Sequence, residues 1–139
     1  MKLLKVNQLR GDMNTDKENS LGLLLYGFSA AEAGLLKEKT ESFHESDIIF
    51  LSASEREEFT VKDILNMSEH SFGQALDERF IMFLGFHDDL IMKFMKSFPS
   101  NIRRPIFCGL TSSNIEWKVS YLMNHLIEEK RKFEKLSDD

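Results

Sequence analysis

The sequence predicts an α/β protein: two tandem βαβα units forming a four-stranded, mostly parallel sheet flanked by helices. Continuous apolar runs, helical spacing between them, and an echo of the first half in the second carry that prediction. Leu21 to Tyr26, closed by Gly27, is apolar at almost every position, as in a strand buried on both faces beneath helices. Similar runs recur at Asp47–Leu51, Phe80–Leu84 and Pro105–Leu110. Between the last two, Leu90, Ile91, Phe94, Met95 and Phe98 fall on one face of a helix beginning near Asp88. After the last strand, Ile115, Val119, Leu122 and Leu126 repeat that spacing through a long helix ending near Phe133.

The echo is a fixed offset of 58 positions between Gly27-Phe28 and Gly85-Phe86. The same offset places Ile48 on Ile106, Phe50 on Cys108, Phe59 on Trp117, Val61 on Val119 and Ile64 on Leu122. Apolar positions stay apolar across the register, as duplication of one unit would leave them. Parallel crossovers are right-handed, so each unit winds the same way. The expected result is an approximate twofold with both Gly-Phe corners at one rim of the sheet, where open α/β sheets gather their functional loops. Residues 1–20 are polar and poorly patterned and read as a mobile arm, or as an edge strand at Leu3–Val6. Residues 21–139 read as a single α/β domain with halves of about 21–78 and 79–136.

Composition narrows the function. With 139 residues the chain has room for one domain and a short arm. A net charge of −5 provides no dense positive field for a phosphate backbone, so no nucleic-acid partner is expected. No uninterrupted apolar span approaches the roughly 20 residues a bilayer needs, so neither a membrane partner nor a signal peptide is expected. The single cysteine, Cys108, cannot form an internal disulfide and fits a reducing, cytoplasmic address. It lies within an apolar strand, as a small core residue would.

The polar motifs have plain structural readings. Ser29/Glu32, Ser54/Glu57 and Ser113/Glu116 each have the spacing of a capping box, serine and glutamate exchanging hydrogen bonds with backbone amides. Gly27-Phe28-Ser29-Ala30-Ala31 resembles the strand-to-helix turn of a nucleophile elbow, but Ala31 stands where that turn needs glycine, and the echo puts His87 opposite Ser29. No catalytic residue is therefore assigned. His87, Asp88 and Asp89 form the most polar loop. His125 lies about 16 Å along the last helix from its expected start at Asn114, too far from the strand ends to complete a metal triad, so no metal or other cofactor is expected. Arg103-Arg104 and Lys130-Arg131-Lys132 are short basic patches, read as a solvated turn and a helix end.

Arg104-Pro105-Ile106-Phe107, followed by Thr111, Asn114 and Trp117, together with Tyr26-Gly27-Phe28 and the Gly85-Phe86 echo, resembles a bacterial family of short proteins described as a domain of unknown function. The chain departs from that pattern at Cys108-Gly109-Leu110 and at Ser112-Ser113. The resemblance covers about Leu21 to Phe133 and implies a bacterial cytoplasmic α/β protein with no assigned reaction.

Two expectations follow. The first is a non-enzymatic domain that binds a protein partner or self-associates through Phe86, Met92, Phe94, Met95 and Trp117. The alternative is a small polar or anionic metabolite held at the carboxyl edge of the sheet by Ser29, His87, Asp89, Thr111, Ser112 and Asn114, whose hydroxyls, amide and helix-start N–H groups supply the few polar contacts a ligand cleft needs.

Overall fold

The computed structural model describes residues 21–42 and 48–138, so the expected arm at 1–20 lies outside the described residues. Four strands alternate with helices in the order β1 (Leu21–Tyr26), α1 (Ala30–Glu41), β2 (Ile48–Ser52), α2 (Val61–Leu65), β3 (Phe80–Leu84), α3 (Asp88–Lys96), β4 (Ile106–Gly109), a 3₁₀ turn (Asn114–Glu116) and α4 (Val119–Asp138). The sheet order is β2-β1-β3-β4. β1 pairs with β2, and β3 with β4, in parallel; the central pair β1·β3 is antiparallel.

Side chains alternate across this sheet because successive strand residues face opposite ways. Leu24, Tyr26, Leu51, Phe80 and Met82 pack against Val61, Ile64 and Leu65 of α2 and Val119, Leu122, Met123 and Leu126 of α4. Leu21, Leu23, Leu25, Ile81 and Phe83 pack on the other face against Ala33 and Leu36 of α1 and Phe94 of α3. Three layers result, with two helices on each side of the sheet. The helix starts are set by local chemistry. Ser29 and Glu32 form a capping box on α1, and Thr60 and Asp63 form one on α2.

The antiparallel centre corrects the expected placement of the corners. β1 and β3 run in opposite directions, so Gly27-Phe28 and Gly85-Phe86 lie at opposite ends of the sheet. Both glycines take the left-handed φ that the sharp strand-to-helix turn demands, +90° and +81°. At Gly27 a Cβ would lie 2.7 Å from Cβ of Arg79, the residue just before β3.

The pairing is nevertheless symmetric about the 58-residue offset. Leu24 sits opposite Met82, flanked by Leu23↔Phe83 and Leu25↔Ile81. Thr60 bridges Lys118, with Val61 N donating to Trp117 O and Val119 N donating to Phe59 O, both at 2.9 Å. Those are the contacts a twofold axis normal to the sheet produces. In the outer strands the offset slips by one. Gly22 pairs with Ile49 and Phe80 with Ile106, so Ile49 corresponds to Ile106 and Phe50 to Phe107. The expected match of Ile48 with Ile106 would set residues of opposite faces on each other, since a one-residue shift inverts a strand.

Two expected capping boxes are replaced. No helix starts at Ser54, whose buried Oγ has no hydrogen-bond partner among the described residues; the chain turns there through Glu55 at φ +60°, and the helix waits for Thr60. Ser113 makes no side-chain cap bond. Instead Thr111 and Asn114 exchange bonds, Asn114 N donating to Thr111 Oγ1 and Thr111 N to Asn114 Oδ1, both at 2.9 Å.

Candidate functional site

The six residues expected to hold a metabolite do not converge. Ser29 follows β1, whereas His87 and Asp89 follow β3 and Thr111, Ser112 and Asn114 follow β4, at the opposite rim. Ser29 is spent on the α1 cap. Asn114 is buried, and its amide nitrogen donates to Gly109 O at 3.0 Å while its oxygen closes the turn with Thr111. Thr111 and Asn114 thus hold the exit from β4 with bonds made within the chain. His87 caps α3 without a side-chain bond, leaving Asp88 and Asp89 to complement the helix start.

The expected apolar surface is also redistributed. Phe94 is 2% exposed and lies in the core between Phe83, Phe98 and Phe107, so it presents nothing to a partner. Phe86 and Met95 are partly buried against the same cluster. Met92 alone of the α3 set is open, at 50% exposure.

Trp117 has a different neighbourhood. It is half-buried, leaning on the core beneath α4, and its ring meets Tyr121 edge-on at 4.8 Å and His125 at 4.8 Å. Tyr121 and His125 stack at 6.3 Å. Tyr121 and His125 are four apart on α4 and so share one face, and the Trp117 ring, from the extended residue two places before the helix, extends that face into a single ridge. His125 Nε2 lies 3.1 Å from Glu129 Oε2, the next position on that ridge, which orients the imidazole. Tyr121 is 55% exposed, and Phe59, whose backbone pairs with Val119, is 45% exposed. Tyr121, His125 and Phe59 were missed as surface residues; the spacing of Trp117, Tyr121 and His125 was the available signal.

The rim shared by the ends of β1 and β2 is polar and internally hydrogen-bonded. His70 Nδ1 accepts from Ser52 N at 3.0 Å and from the Arg56 guanidinium at 2.9 Å. Two donors on Nδ1 leave the proton on Nε2, which donates to Met67 O. Burial, with Arg56 beside it, holds His70 below its ordinary pKa. Arg56 also donates to Ser52 O and Glu69 O. Arg79, 3% exposed, bonds Glu32 at 3.2 Å and lies 4.5 Å from the Phe28 ring centre. Tyr26 donates to Glu57 at 2.9 Å, and burial with that carboxylate pushes its pKa up to about 12. The Cys108 thiol is likewise pushed up to about 12 by burial, which makes it a poor nucleophile at neutral pH. Among the described residues no cluster of His, Cys, Asp or Glu has the arrangement to hold a metal, and no helix is long and apolar enough to cross a membrane.

The second half, β3 through α4, holds both the Trp117 ridge and the turn that anchors it. Residues 79–133 match a domain of unknown function, DUF3783. The DUF3783 segment starts at the buried Arg79, includes Arg104-Pro105-Ile106-Phe107, Thr111, Asn114 and Trp117, and ends one turn before the end of α4. No curated protein and no solved structure matches the chain.

Proposed function

We propose that this chain is a non-enzymatic binding domain of the bacterial cytoplasm that self-associates through the Trp117, Tyr121 and His125 ridge of α4, its two halves being copies of one unit. The carrying observation is that three rings lie within 6.3 Å of one another, Tyr121 and His125 on the outer face of α4 and Trp117 just before its start, with Tyr121 55% exposed. Aromatic side chains desolvate large areas at low entropic cost and dominate interface energetics. A second copy is the partner that fits best, because i±4 ridges of two identical helices interdigitate and make a self-complementary contact. The lone thiol and the resemblance to short bacterial proteins support the address.

Sedimentation velocity of the full chain across the micromolar range is the test. The expected result is a reversible dimer that Tyr121→Glu returns to monomer, with the melting temperature unchanged at dilutions where both proteins are monomeric, since Tyr121 is mostly solvent-facing. A chain that stays monomeric throughout, or a dimer indifferent to Tyr121→Glu, overturns the proposal.

A further inference from the structure

A groove of about 310 Å³ opens between the starts of β3 and β4 and the second half of α4. Its floor is apolar, formed by Ile106 and by Met123 and Ile127 of α4. The fold brings two basic patches that are far apart in sequence onto this one groove: Arg103-Arg104 from the turn before β4, and Lys130-Arg131 from α4. On a chain of net charge −5, five of its eight charged lining residues are cationic. All five cations fall within the DUF3783 segment, and the three acids, Asp77, Glu78 and Glu134, fall outside it.

We infer that this groove binds a small ligand carrying a phosphate or carboxylate on a compact apolar body. The cations differ in what they have to offer. Arg79 is committed to Glu32. The Arg104 guanidinium lies over the Phe107 ring at 5.0 Å and donates to Met95 O, which turns its charge toward the α3 side of the sheet. Lys130 is held by Glu134 at 3.7 Å. Arg103 is anchored through Nε to Asp77 O at 2.8 Å, and its terminal nitrogens make no hydrogen bond among the described residues. Arg131 makes no ion pair among them either. Two guanidinium groups are thus left to take an anionic head, for which their fork geometry is suited. The aliphatic floor takes the apolar body. Asp77 and Glu78 line the groove as well, and their charge disfavours an anion beside them, which directs the head toward Arg103 and Arg131.

Calorimetric titration of the full chain at low salt, with phenyl phosphate, phenylacetate and inorganic phosphate as probes, tests this. One site is expected for phenyl phosphate or phenylacetate, whichever head the groove takes, and tighter than for inorganic phosphate. Arg103→Gln with Arg131→Gln is expected to weaken it by about tenfold or more, the effect of losing charge-assisted contacts, and Glu78→Gln to tighten it. Lys62→Gln, a charge loss on α2, is expected to leave it unchanged. Circular dichroism of each variant establishes that the fold is intact. No binding of either organic probe, equal affinity for inorganic phosphate, or equal losses in the Lys62 and arginine variants would overturn the assignment.

Discussion

The two halves enter their last helices through the same contact and then part. Val61 N donates to Trp117 O and Val119 N to Phe59 O on either side of the Thr60↔Lys118 bridge, yet α2 stops after 5 residues whereas α4 runs for 20. The 58-residue offset says why. Leu126 and Ile127, which keep the apolar face of α4 on the sheet, correspond to Ser68 and Glu69, and a helix with nothing to bury gains little from continuing. After Asn66 the chain instead forms an irregular connection, pinned by His70 to the end of β2 and by Leu76 N to Gly27 O. In the outer strand, Ile106 packs beneath α4, whereas its counterpart Ile49 is 47% exposed. The symmetric pairing of the halves thus resides in the strands and the helix starts, and what distinguishes them is how far each helix extends.

The largest effects test where the halves agree. Leu36 and Phe94 occupy corresponding positions on α1 and α3, at 0% and 2% exposure. Leu36→Ala and Phe94→Ala are each expected to cost about 3–5 kcal/mol in urea denaturation. A mild effect at one and not the other would break the correspondence. A smaller pair tests where they differ. Ile106→Ala is expected to cost about 1–2 kcal/mol, and Ile49→Ala no more than about 0.5 kcal/mol. Equal losses would mean that Ile49 is covered after all.

The smallest effect concerns the connection that replaces the missing helix. His70 titrates below its ordinary value of 6.5 when folded, so the unfolded chain binds the extra proton first as pH falls. Stability from this group is complete above about pH 6.5 and declines as pH drops through the lowered folded pKa. A protonated ring would also set a third donor against Ser52 N and Arg56. His70→Asn, which keeps an acceptor without a titrating group, is expected to flatten that part of the pH–stability curve. An unchanged slope would remove His70 as its source.

Much of this architecture is written in the apolar pattern. Four runs gave four strands, and the face carrying Leu90, Ile91, Phe94 and Met95 gave α3, because burial on both faces of a strand or on one face of a helix leaves its mark in the chain itself. Strand direction leaves no such mark. A strand buried on both faces, such as Leu21–Tyr26, reads alike in either orientation, so the antiparallel β1·β3 pair was not legible, and with it went the shared rim for Ser29 and His87. The one-residue slip between β2 and β4 was hidden for the same reason, since Ile48, Ile49 and Phe50 are all apolar. At the candidate surface, Phe94 and Trp117 looked equivalent by composition. Only packing separates a ring enclosed by Phe83, Phe98 and Phe107 from one that shares an outer ridge with Tyr121 and His125.

Cross-strand nuclear Overhauser effects between β1 and β3 test the mating of the halves most directly. The account predicts an antiparallel ladder with Leu24 opposite Met82, Leu23 opposite Phe83 and Leu25 opposite Ile81. A parallel ladder, with partner numbers rising together along the two strands, would contradict it and return both glycine corners to one rim.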